Sequence, residues 1–302
     1  MPPNIHNLPL LAVPNVSEGR DPAMIEAVAR AFVASGGARL LDVHSDADHH
    51  RSVFTLAGQP RTLAEALLAG ARAAIERIDV GKSRDLANLG QHPHVGAVDV
   101  MPIVYLDRAQ RGAACAMALV VAEEMGKRLE VPVFLYGELT QGRARAELRR
   151  GGVGGLAERL KAGGLRPDFG PLRMHSTAGA TLVAAREPLV AFNLELAAPA
   201  GVAEASRVAS LIREGGAEGL PGVRAIGVSL RERGVGQVSM NVERPLELPL
   251  RAVLEAVGKH AEVVRAELVG LAPRAALEGF PPEIPLIGFD PDVHVIENAL
   301  GF

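Results

Sequence analysis

The chain has 302 residues, 48% hydrophobic and 22% charged, so it contains enough apolar surface for a large core and is not globally disordered. Its formal net charge of -3 gives no indication of a nucleic-acid-binding surface. A single cysteine, Cys115, excludes an intrachain disulfide and a metal site built from several thiolates.

Two apolar stretches bear on the location of the protein. The segment "LPLLAV" is too short for the apolar region of a signal peptide, and no positively charged region precedes it. The longest apolar run, from Ala113 to Ala122, covers roughly half of the ~20 residues that a membrane-spanning helix needs. We therefore expect a soluble, cytoplasmic protein.

The first half of the chain alternates strand and helix patterns. "LPLLAV" is a predicted strand, and a helix is predicted after Asp21, with Asp21 as the N-cap and Pro22 at the first helical position. Two strands, a helix, a strand, a helix and a short strand follow over 38–46, 51–59, 61–78, 96–106, 111–129 and 131–137. This order is βαββαβ with an additional αβ unit.

Residues 143–180 have a different composition, rich in glycine and arginine, and contain only short helical patterns. Long irregular segments in compact domains usually bind a ligand or a partner. We therefore interpret this segment as a connector with a function.

A second βαββαβ series follows the connector. It begins with strand material over 181–198 and continues through a helix, a hairpin-like pair of strands, a helix, a strand and a closing helix over 201–215, 222–233, 234–243, 248–262, 263–271 and 272–280. We predict an α/β (α+β) fold with two subdomains, 1–178 and 179–302. Each is expected to be a ferredoxin-like mixed sheet with helices packed on it, with the natural cavity between the two.

Five histidines fall in two clusters. "LGQHPHVGAVDV" contains His92 and His94, and "DVHSDADHHRS" contains His44, His49 and His50. A His-x-His pair on a regular strand points both rings to one face, as in metallohydrolases, but Pro93 interrupts regular strand geometry here. The residues alone leave open a metal site, structural histidines or a rigidly held general base.

The segment "DADHHRS" also has two readings. It is either a solvated turn rich in aspartate, or a substrate site in which the guanidinium of Arg51 clamps a carboxylate. In the second reading, Asp46 orients a histidine or balances a cationic group.

Several stretches together resemble the glutamate formiminotransferase family, which also forms the N-terminal domain of formimidoyltransferase-cyclodeaminases. They occur in the order of the family, between about residues 13 and 273. The stretches are "VPNVSEG", "LLDVHSDADHHRSVFTLAGQP", "HPHVGAVDVMP", "VPVFLYGE", "PDFGP", "TAGATLVAAR", "PLVAFNLEL", "AIGVSL", "GQVSMN" and "LVGLAP".

The resemblance implies transfer of a formimino group between N-formimino-L-glutamate and tetrahydrofolate, in histidine degradation, by a homodimer with a substrate tunnel between the subdomains. His92 matches the catalytic base in the family's "GEHPRMG" motif. It would take the proton from folate N5 and return it to the departing glutamate nitrogen. The resemblance implies no metal.

The family's folate-binding segment follows "PDFG". It maps onto ten consecutive residues at the end of the connector, which are Gly170, Pro171, Leu172, Arg173, Met174, His175, Ser176, Thr177, Ala178 and Gly179.

The substrate site departs from the family pattern. Gln91 replaces the family's glutamate, His94 replaces its arginine, and "DHHR" replaces its "S-x-N-R", with His44 where some members have an aspartate and Asp46 as its substitute. With Arg51, these residues are the expected substrate contacts. The departures leave open formyl transfer from N-formylglutamate and a paralogue with reduced activity. The further alternatives are a non-catalytic folate-binding paralogue and, from the histidine and aspartate clusters, a metal-dependent hydrolase.

Overall fold

The computed structural model describes residues 8–81, 93–230 and 233–302. The chain divides into two compact units, Met1–Glu187 and Pro188–Phe302. Each unit has its own sheet and its own apolar core. Within the described ranges, no helix combines the length and apolar character that crossing a membrane requires.

The long helices of the first unit begin where the sequence predicts. Asp21 accepts hydrogen bonds from the backbone nitrogens of Ala23 and Met24 at 3.0 and 3.1 Å, and Pro22 starts the first helix. These helices are α1 (Pro22–Val33), α2 (Pro60–Arg77) and α3 (Arg111–Arg128).

The sheet of the first unit has seven strands. They are β1 (Leu10–Ala12), β2 (Asn15–Val16), β3 (Arg39–Asp46), β4 (Arg51–Gly58), β5 (Val98–Val104), β6 (Val133–Leu135) and β7 (Thr181–Arg186). β1 and β2 both lie between β4 and β5, as two parts of one interrupted strand. The order β3-β4-β1/β2-β5 is that of a ferredoxin-like unit, and β7 and β6 extend it in parallel beyond β5.

Apolar side chains cover this sheet on both faces near β5 and β7. One face packs against α1, α2 and α3, and the rings of Phe32 and Phe54 lie 5.2 Å apart there. The other face carries α4 (Arg145–Arg149) and α5 (Gly152–Lys161). Leu148 and Leu156 from these helices join Val100 of β5 in a separate apolar cluster.

The second unit repeats the ferredoxin-like arrangement. Its sheet has the order β12-β11-β8-β10-β9, and its core lies between one face of the sheet and the helices. The elements are β8 (Val190–Leu196), α6 (Val202–Ile212), β9 (Val223–Leu230), β10 (Val235–Val242), α7 (Leu250–Gly258), β11 (Val263–Val269), β12 (Leu286–Ile287), α8 (Pro291–His294) and α9 (Ile296–Leu300).

Two segments differ from the elements predicted for them. The strand material over 181–198 forms two strands, β7 and β8, which belong to different sheets, and the first compact unit ends at Glu187, between them. The predicted closing helix over 272–280 is a single 3-10 turn, Arg274–Leu277, in which the amide of Ala276 donates to the carbonyl of Pro273.

Candidate functional site

Three of the expected substrate contacts lie on one face of the first sheet. In the antiparallel pair β3–β4, His44 is opposite Val53 and Asp46 is opposite Arg51, and opposite residues share a face. Phe54 points into the core below α1 and α2, so its neighbours at alternate positions point the other way. His44, Asp46 and Arg51 therefore lie on the face away from α1 and α2.

Hydrogen bonds order the turn between β3 and β4. The carboxylate of Asp46 accepts from the backbone nitrogen of His49 at 2.7 Å. His50 has a positive φ of 49°, and its Nδ1 accepts from the backbone nitrogen of Gly19 at 3.3 Å. Burial lowers the pKa of His50, against the opposing effect of Glu18, so the neutral ring with Nδ1 as acceptor is favoured.

Arg51 starts β4 in a crowded electrostatic environment. Burial is the main cause that lowers its pKa to about 10, and the positive charge of Arg149 acts in the same direction. The carboxylate of Asp46 raises this pKa, and that of Asp99 does so to a smaller extent. Charged groups from β3, β5 and α4 thus act together on Arg51 at the start of β4.

Asp99 is a functional candidate that the sequence predictions missed. Its buried carboxylate accepts from the backbone nitrogen of Val95 at 2.8 Å and forms an ion pair with Arg149. An ionisable residue inside the apolar strand "AVDVMPIVYL" was the available signal, because an unpaired buried carboxylate is costly. Arg149 gave a weaker signal, as one member of an arginine-rich stretch.

The expected catalytic base, His92, and its neighbour Gln91 lie outside the described residues. The structure is again described from Pro93 onward. His94 is half-buried and directly precedes Val95, whose backbone amide donates to the carboxylate of Asp99. The predictions for His92 and Gln91 therefore rest on the sequence.

The segment after His94 packs against the end of the expected folate loop. The backbone nitrogens of Ala97 and Ala180 donate to the carbonyls of Ala178 and Val95, both at 2.9 Å. A Cβ added to Gly96 would lie 2.0 Å from the carbonyl oxygen of Ala180, so only glycine fits here. The end of the expected folate segment is thus in contact with the residues that follow His94.

The expected folate segment is fixed at its ends and exposed between them. Gly170 has a φ of 81°, and a Cβ there would lie 2.5 Å from the carbonyl oxygen of Val131. Near the other end, the Nδ1 of His175 accepts from the backbone nitrogen of Ala178 at 3.0 Å. Leu172, in the middle, is 67% exposed and available for contact with a ligand.

The part of the chain that the structure describes contains no cluster of side chains suited to a metal ion. Over residues 8–81, 93–230 and 233–302, no group of three or more histidine, cysteine, aspartate or glutamate side chains is arranged to hold a metal ion.

Fold and site together define a class of protein: an α/β protein of two ferredoxin-like units whose first sheet carries clustered arginine, aspartate and histidine side chains. Two family models match the chain. The formiminotransferase domain, N-terminal subdomain, matches residues 10–186, and the formiminotransferase domain matches residues 191–279. The chain belongs to the formiminotransferase family and is a transferase.

Curated relatives agree with this assignment. Glutamate formimidoyltransferase of Streptococcus pyogenes serotype M1 is 36% identical over 86% of this chain and 88% of its own length. The protein of that name from Thermoplasma acidophilum is 32% identical over 86% of this chain and 87% of its own length. Mouse formimidoyltransferase-cyclodeaminase is 37% identical over 86% of this chain, and the match covers 49% of the mouse protein.

Proposed function

We propose that this protein transfers the formimino group of N-formimino-L-glutamate to tetrahydrofolate, giving 5-formiminotetrahydrofolate and L-glutamate, in histidine degradation. The observation that carries the proposal is the match to both formiminotransferase models and to relatives named glutamate formimidoyltransferase over 86% of the chain. The proposal is also supported by the arginine side chains around Arg51, since guanidinium groups suit a substrate with two carboxylates.

His92 is the proposed general base. It removes the proton from the attacking folate nitrogen as that nitrogen bonds to the formimino carbon, and it then delivers the proton to the nitrogen of the departing glutamate. Such acid–base catalysis typically contributes ~10²–10⁴-fold to the rate. Arg51 and Asp46 bind and orient the substrate in this proposal, with His44, His94 and Gln91 as further contacts.

Residues 170–179 are the proposed folate-binding segment. The tight backbone packing at Gly170 and Gly179 supports this role, because it holds both ends of the segment still while the centre stays exposed. A rigid backbone presents amide and carbonyl groups to a planar ring at low entropic cost. Arg173, which is exposed, is the residue we assign to the anionic tail of the folate.

The test uses the purified protein with tetrahydrofolate and one of two donors. Formimino transfer from N-formimino-L-glutamate is followed by the change in folate absorbance. Turnover with this donor in clear preference to N-formyl-L-glutamate is the expected result. Preference for the formyl donor would instead support formyl transfer, the alternative suggested by Gln91 and His94. Folate binding without turnover on either donor would point to a non-catalytic paralogue.

We also propose that the protein acts in the cytoplasm as a homodimer. The family resemblance is what supports both statements.

A further inference from the structure

Arg149 is a buried arginine with no part in the proposed function so far, although its charge acts on that of Arg51. Its side chain is 13% exposed and pairs with Asp99, whose side chain is 7% exposed. The Nε of Arg149 is buried without a hydrogen-bond partner among the described residues. Because a buried guanidinium donor is costly to leave unsatisfied, an acceptor that reached this nitrogen would stabilise the arrangement.

The nearby carboxylates already have other partners. One oxygen of Asp99 accepts from the amide of Val95, and one oxygen of Asp46 accepts from the amide of His49. The charge of Arg149 also acts unfavourably on Arg51. A bound anion stabilises two partly buried guanidinium groups whose charges repel each other. A carboxylate suits them, because a guanidinium can donate two parallel hydrogen bonds to it.

A second contact network fixes the backbone that carries Arg149. The guanidinium of Arg159 on α5 donates to the carbonyls of Glu147, Leu148 and Arg150 at 2.8, 2.6 and 3.1 Å. Leu148 itself is buried in the apolar cluster below. Arg149 is thus held from both sides, as precise recognition of a ligand requires.

We propose that Arg149 and Arg51 together bind a carboxylate of the formiminoglutamate substrate, and that Asp99 is a positioning residue for Arg149. The inference rests on the proposed function and names the residues that recognise its amino-acid substrate. Asp99 also anchors the amide of Val95, so it ties the carboxylate site to the segment that follows His92 and His94.

The first test compares Arg149→Lys with Arg150→Lys, a matched control at an exposed neighbour. Lysine keeps the charge but loses the planar fork. In Arg149→Lys, we expect KM for formiminoglutamate to rise at least ~10-fold and KM for tetrahydrofolate to change by less than about twofold. The affinity for glutarate, a dicarboxylate probe measured by calorimetry, should fall to a similar extent. Arg150→Lys should match the wild type in all three measurements.

The second test addresses Asp99. Asp99→Asn keeps the acceptor for Val95 but removes the charge that holds Arg149, so it should produce the same selective rise in KM, and Asp99→Glu should recover part of it. Thermal unfolding and circular dichroism verify that each variant is folded. If Arg149→Lys does not fold, Arg149→Gln is measured in the same way, since it keeps a hydrogen-bond donor but loses the charge and should show the same selective rise in KM.

The outcomes separate this inference from the proposed function. If the wild type transfers the formimino group but Arg149→Lys changes neither KM nor glutarate affinity, or raises both KM values equally, the carboxylate site is wrong. If the wild type shows no transfer but binds glutarate, and Arg149→Lys weakens that binding, the carboxylate site stands and the proposed reaction fails.

Discussion

At the scale of single residues, the contact between the two site segments depends on Gly96. Its Cα faces the carbonyl oxygens of Ala180 and Ala178, which would lie 2.0 and 2.6 Å from an added Cβ. Since both atoms belong to the backbone, neither moves without disturbing the strand start or the folate segment. Gly96→Ala should therefore lower the free energy of unfolding by about 3 kcal/mol, measured by urea denaturation.

Gly154→Ala is the matched control for this prediction. Gly154 lies in α5, and nothing is within 4 Å of the place where its Cβ would be. Alanine should be tolerated and should add about 0.5–1 kcal/mol through its better helix propensity. Equal stability of the two variants would contradict the close packing at Gly96.

The local geometry around the turn between β3 and β4 could be predicted from the sequence. Both strands and the short polar turn between them were expected, and in the structure Asp46 and Arg51 lie opposite each other across that turn. Asp99 was not expected, since its partners are an amide and an arginine that lies 50 residues further along the chain. Contacts between residues so far apart in the sequence depend on tertiary packing, which a local sequence pattern does not predict.

At the scale of elements, Arg159 joins the two short helices α4 and α5. It donates to three carbonyls at the end of α4 and to the carbonyl of Gly155 in α5. Arg159→Ala removes these charged donors and leaves the partly buried carbonyls of Leu148 and Gly155 unsatisfied, at a cost of about 2 kcal/mol. We expect faster amide hydrogen exchange over residues 144–150, measured by mass spectrometry.

Arg30→Ala is the control for Arg159. Arg30 pairs with Glu26 on the exposed surface of α1, where both side chains are more than half exposed. Such a pair contributes about 0.3–0.5 kcal/mol, so exchange over residues 144–150 should stay as in the wild type. Unchanged exchange in Arg159→Ala would mean that the apolar packing of Leu148 alone holds α4 in place.

Element patterns predicted the βαββαβ order of both units, because helices and strands differ in the period of their apolar residues. They did not predict that β7 closes the first unit. β7 and β8 are both largely buried strands separated by residues 187–189, and nothing in their composition indicates which sheet each one joins. In the structure, β7 joins the first sheet because it pairs in parallel with β5 and β6.

At the scale of the whole molecule, the proposed homodimer can be tested by measuring the mass of the protein in solution. The chain has a mass of 31.7 kDa, so light scattering coupled to size-exclusion chromatography should give about twice that value. The exposed apolar side chains of Leu119 and Val120 on α3 are compatible with a surface that a second copy covers. A monomeric mass at micromolar concentration would contradict the proposal.

The proposed reaction connects the scales, because it requires the proposed base His92, the proposed carboxylate site at Arg51 and Arg149, and the proposed folate-binding segment to act on the same substrates. The most direct test is kcat for formimino transfer in His92→Ala against the wild type. We predict turnover by the wild type and a loss of at least ~100-fold in the variant, with glutarate binding retained. A variant that keeps the full rate would contradict the assignment of His92 as the base.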